Sequence, residues 1–148
     1  MNSDIYLEKN ISQQPAIDLL TAMGYTYISP ADCDRQRGSR YHVLLKDVLR
    51  GQLRRLNRYA YAGAENEFSA ANIERAMEDL DEPLTDGLVR TSEKIYDALL
   101  LGKSYSETVG DGKMLSFNLR YIDWDNPQNN VFHVTEEFAV DSRDRQHN

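Results

Sequence analysis

Asp123 and Asp125 stand two residues apart at the end of an apolar segment, and Glu136 and Glu137 follow on the next one. Carboxylates so placed offer the hard oxygen donors that Mg2+ takes. The stretch between them, DWDNPQNNVF (Asp123–Phe132), is equally suited to a turn. Asp and Asn side chains bond nearby backbone, and Pro127 fixes φ. Asp-x-Asp is short and common, so spacing alone supports both readings.

A second chemistry is electrostatic. Arg35, Arg37, Arg40, Lys46, Arg50, Arg54, Arg55 and Arg58 fall in one stretch with Asp47 as the single acid. Such a set can track a phosphate backbone, with Tyr41, Tyr59 and Tyr61 close by to stack on bases or sugars. The acidic run that follows, from Glu65 to Asp86, interrupted only by Arg75, offers the alternative. Neighbouring segments of opposite sign pair with each other as a solvated surface. Nucleophilic chemistry has little support. Cys33 lies nine residues from His42 with no mark of activation. His133 and His147 lack metal-ligand spacing. G-x-S-x-G, the phosphate-binding P-loop and G-x-G-x-x-G are absent from the sequence.

Several elements must position these groups. QQPAIDLLTAMGY reads as a helix, with Pro15 in its first turn and Gly24 at its end. YTYIS follows as a short strand, and PADCDRQRGSR as a polar loop. In YHVLLKDVLRGQLRRLNRYAY, Leu45, Val48, Leu49, Leu53 and Leu56 form a helical stripe, with Arg50, Arg54 and Arg58 four apart on another face. SAANIERAMEDL is a helix capped by Ser69, and TSEKIYDALLLGK is another that stops at Gly102. After the turn VGDGK, the segment MLSFNLRYID alternates with period two, and so does NVFHVTEEFAV. This order predicts an α+β protein: helices followed by an antiparallel strand pair joined through DWDNPQNN.

The chain has 148 residues and a net charge of −7, which excludes a wholly basic nucleic-acid module. Its length suits a single domain, residues 1–148. One cysteine cannot form an internal disulfide, and with no apolar run of membrane-spanning length the expectation is a cytoplasmic protein with no membrane partner.

The segment LRYIDWDNPQNNVFHVTEEFAV closely resembles the N-terminal region of type I restriction enzyme R (HsdR) subunits. AIDLLTAMGYTYI, VLLKDVLRGQLRRLN, and LVRTSEKIYDALLLGKSYSE followed by DGK resemble that family's other segments in the same order. The resemblance spans roughly residues 6–141 and leaves 142–148 as a polar tail. It implies the front of a PD-(D/E)xK nuclease domain, a partial restriction-endonuclease-like fold. The catalytic Asp and Glu-x-Lys strands would lie beyond Asn148. No catalytic residue and no metal ligand is therefore assigned here, and Gln13 or Gln14 stands where the family often carries an acid on its first helix. Mg2+ and ATP are implied for the full R subunit and no cofactor for this chain, which is expected to be inactive alone. The implied partners are DNA and the modification and specificity subunits. DWDNPQNN is expected to be structural, with Trp124 packed. The strand near 130–140 is expected to leave an open edge that favours self-association. The alternative is a non-catalytic DNA-contacting or subunit-docking module that uses Arg35, Arg37, Arg40, Arg50, Arg54, Arg55 and Arg58.

Overall fold

The structure, a computed structural model, describes residues 9–81 and 83–141. Expectations for the first residues and for the polar tail 142–148 lie outside the described residues. In chain order the elements are α1 (Gln14–Ala22), β1 (Thr26–Tyr27), α2 (Pro30–Arg37), α3 (Lys46–Leu56), β2 (Tyr59–Tyr61), β3 (Ala64–Asn66), α4 (Ala70–Leu80), α5 (Leu88–Leu101), β4 (Lys103–Val109), β5 (Lys113–Leu119) and β6 (His133–Val134). The α+β class and an antiparallel strand pair after the helices are both present. The chain forms two compact units, residues 1–45 with 131–148, and residues 46–130.

In the first unit a π-helical turn (Lys9–Gln13) leads into α1. Helix α2 occupies what the sequence predicts as a polar loop. It has no apolar stripe, so periodicity is silent there, but its end signals are complete. Ser29 Oγ accepts from Asp32 N at 3.2 Å, Pro30 supplies a pre-set φ, and Gly38 closes the helix at φ +75°. The alternating segment 131–140 is also reassigned. Only His133–Val134 is strand, and it pairs in parallel with β1, Thr26 opposite His133 and Tyr27 opposite Val134. Thr26 N donates to Phe132 O at 2.8 Å and Ile28 N to Val134 O at 2.9 Å.

The second unit holds the principal core. Leu53 from α3, Ile73, Ala76 and Met77 from α4, and Tyr105 and Leu119 from the β4–β5 hairpin meet with Phe68 and Tyr121. Helix α3 is shorter than its apolar pattern suggests. Buried Asn57 donates to Leu53 O at 3.0 Å and to Arg120 O at 2.8 Å, and it accepts from Arg120 N at 2.9 Å. One amide thus ends the helix and ties it to the end of β5. Residues beyond it turn into the small β2–β3 hairpin.

The partner of β5 is β4, a strand the sequence reading leaves unassigned. Their register runs from Lys103 opposite Leu119 to Val109 opposite Lys113. The chain can move from α5 into β4 so abruptly because of Gly102. Its φ is +74°, and a Cβ there would stand 2.4 Å from Leu119 O.

Candidate functional site

The DWDNPQNN loop is built around one buried carboxylate. Asp123 is 1% exposed. Its Oδ1 accepts from Asn126 N at 3.0 Å and from Arg120 at 3.1 Å, and its Oδ2 accepts from Asn129 Nδ2 at 3.0 Å. The backbone of the same residue is paired with one side chain: Asp123 N donates to Asn130 Oδ1 at 2.9 Å, and Asn130 Nδ2 returns to Asp123 O at 2.9 Å. Asn130 Nδ2 also reaches Pro127 O at 3.0 Å, across a turn of 3-10 helix over Pro127–Asn129. Arg55 on α3 donates to Asn129 O, fastening the loop to the helix. The Asn129 amide, then the Asn126 N–H, then the Arg120 charge hold the Asp123 carboxyl below the usual carboxylate range against the opposing effect of burial.

These contacts commit Asp123 to the loop, whereas Asp125 projects outward with its side chain 88% exposed. Glu136 and Glu137 belong to the other unit, where Glu136 Oε1 accepts from Tyr27 OH at 3.3 Å. Among the described residues no three His, Cys, Asp or Glu side chains gather as a metal ion would require. The residues here do not fit a Mg2+ site. Trp124 departs from its expected packed place. It is 57% exposed, and its Nε1 donates to Leu99 O at 3.0 Å. The indole N–H needs an acceptor, and the last turn of α5 offers free carbonyls at its rim.

The seven arginines separate. Arg35, Arg37 and Arg40 lie in the first unit, and Arg50, Arg54, Arg55 and Arg58 in the second. Arg37 does not belong to an exposed basic face: its side chain is fully buried. It bonds Asp34 at 2.5 Å, His42 O at 3.3 Å and Ala139 O at 2.5 Å, and its guanidinium lies 4.2 Å from the Phe138 ring centre. A planar, weakly hydrated cation suits this buried stacked position. Arg37 in turn holds the Asp34 carboxyl below its ordinary range. Arg35 pairs with Asp32, and Arg40 with Asp34 at 3.4 Å.

On and just after α3 the neighbouring acidic segment takes up part of the charge. Arg50 meets Glu74 at 2.5 Å and Asp47 at 2.7 Å, Arg58 meets Glu67 at 3.1 Å, and Lys46 meets Asp81 at 3.8 Å. The Arg50 bond lowers the Glu74 carboxyl, and Glu74 raises Arg50 in return. Arg54 is exposed, with no ion pair among the described residues.

A further titratable group sits beside α4. Tyr105 OH donates to Asp79 at 2.5 Å, and Lys103 pairs with the same carboxylate at 2.9 Å. Burial opposes the charge on Asp79, but these two donors outweigh it and lower the carboxyl. Burial pushes the Tyr105 phenol far above its ordinary range, and Asp79 adds to the shift. Tyr121 OH donates to Ala76 O at 2.6 Å. This network ties the hairpin to α4. The sequence reading missed it, and also missed the parts played by Asn57 and Arg120, whereas it expected the loop's Asp and Asn side chains to bond backbone, as Asn130 does. A run of amides after Asp-x-Asp is the one local signal that points to the loop.

The fold and loop together define a mixed α/β protein whose most distinctive sequence segment is a hydrogen-bonded structural turn. The family described as type I restriction enzyme R protein N terminus matches residues 5–148, and the chain belongs to that family. It is thereby placed in a restriction–modification system, in the family of an endonuclease subunit. No curated protein and no solved structure matches it significantly. Among the described residues no helix is long and apolar enough to cross a membrane.

Proposed function

We propose that this chain is the scaffold-forming front of a type I R subunit's nuclease region and does not cleave DNA by its own residues. The observation that carries this reading is the state of Asp123. In the segment most typical of the family, the one buried carboxylate is consumed by Arg120, Asn126 and Asn129. A carboxylate so occupied orders a loop; it does not present open oxygens to a cation. In the full R subunit, Mg2+ would supply hydroxide formation and charge stabilisation for phosphodiester cleavage. ATP would drive the motor portion, with modification and specificity subunits directing the complex to DNA. Residues of this chain would contribute packing and orientation to that assembly in the cytoplasm. Purified chain incubated with supercoiled plasmid and Mg2+ should leave the plasmid intact. Mg2+-dependent nicking that Asp125→Ala removes would overturn the reading.

Arg54 and Arg55 favour a second reading, in which α3 contacts the phosphate backbone. Both are exposed, and Arg54 makes no ion pair among the described residues. A gel shift with duplex DNA that weakens with salt and disappears on Arg54→Glu with Arg55→Glu would support it. No shift at low salt would remove it. The β1–β6 sheet has two strands among the described residues. Its outer edges support self-association at high concentration, and light scattering that shows a monomer throughout would count against that.

A further inference from the structure

Helix α5 is apolar over more of its circumference than its own unit covers. At 3.6 residues per turn, Thr91, Ile95, Ala98 and Leu99 share the inner side, and Ala98 and Leu99 pack against the core. The adjoining side carries Val89, Tyr96 and Leu100, which are 70%, 64% and 45% exposed. Charge begins only beyond them, with exposed Glu93 and Asp97. A surface helix ordinarily gives that adjoining side to polar residues. Trp124 stands at the C-terminal end of the same helix, bonded to Leu99 O and carried by the loop that Asp123 locks. A tyrosine and a pre-positioned tryptophan are the residue types that anchor protein interfaces.

The edge of this stripe selects its occupant. Glu93 and Asp97 lie along it, whereas Asp125 is paired with Arg120 at 3.8 Å. Arg90 and Lys94 stand further round the helix, and Lys94 is paired with Asp86 at 2.6 Å. The chain as a whole carries −7. A second copy would bring like-charged edges together, whereas a basic-edged surface would be complementary. We propose that the α5 stripe and Trp124 dock an amphipathic helix of a protein partner, its apolar face edged by Lys and Arg.

Trp124 is the only tryptophan in the chain, so its emission reports the site directly. The probe is a synthetic helical peptide with a leucine face and Lys/Arg edges, compared with the same peptide edged by Glu. Expected is a saturable shift of Trp124 emission to shorter wavelength with the basic-edged peptide, weakened by salt and missing with the acidic one. Tyr96→Ser, at an exposed position, should weaken that binding by about tenfold or more while leaving the far-ultraviolet dichroism unchanged. Val89→Ser, two turns away, repeats the test if Tyr96→Ser disturbs folding. Four results would overturn the proposal: no shift with either peptide, equal shifts with both, binding indifferent to both substitutions, or a Trp124 already shielded from quencher in the protein alone. Self-association abolished by Tyr96→Ser would also overturn it, because a second copy would then be the occupant.

Discussion

Asp123 shows how one residue can look catalytic in sequence and be structural in space. Its neighbours in DWDNPQNN supply an amide donor, a backbone N–H and, three residues upstream, a guanidinium. Because these hold its carboxyl below the ordinary value, its contribution to stability is present above the unfolded-state pKa and is lost as pH falls through the folded value. Asp34 and Glu74, lowered by Arg37 and Arg50, act in the same direction. Stability should therefore be level from neutral pH down to the carboxylate range and fall below about pH 4. Urea denaturation at pH 7 and pH 3 measures this, and Asp123→Asn should shallow the acid limb. Asn57→Ala, which removes one buried amide serving three backbone groups, should cost about 2–3 kcal/mol by the same method. A loss within experimental error would mean that the α3–β5 tie is dispensable.

At the scale of elements, helices with an apolar stripe were legible, and so were their stops at Gly24 and Gly102 and the cap at Ser69. What escaped has a physical cause in each case. Helix α2 buries Cys33 and Arg37 and is polar elsewhere, so only its end signals announce it. Segment 131–140 alternates like a long strand, yet its pairing is decided by β1, more than a hundred residues away, and covers two residues. Strand β4 alternates Tyr105, Glu107 and Val109 inward. Its buried Glu107, which accepts from Ser69 N and from Asn72 at 2.8 Å each, disguises the apolar face. The loop's structural character could be read from its Asx-rich composition, but the identity of its donors could not, because Arg120 and Arg55 come from outside it. Two substitutions test the element ends. Gly102→Ala places a Cβ against Leu119 O at a positive φ and should destabilise the protein by about 2 kcal/mol or more. Ser29→Ala removes the α2 cap and should cost about 1 kcal/mol. Thermal melts follow both, and an unchanged melting temperature would contradict the assigned geometry.

For the whole molecule, the two units divide the arginines that the sequence groups together, and of the four in the second unit the acidic segment that follows pairs with Arg50 and Arg58. A protein organised in this way uses its strong charges first to hold itself together. Its membership of the type I restriction enzyme R protein N-terminal family gives it a place in a DNA-cleaving enzyme, while its most distinctive segment serves architecture. The most direct test is a plasmid-cleavage assay on the purified chain with Mg2+, run beside Asp123→Asn and Asp125→Ala. Intact plasmid in all three samples is the result expected of a structural loop. Mg2+-dependent cleavage by the unaltered chain, lost in either substitution, would contradict it.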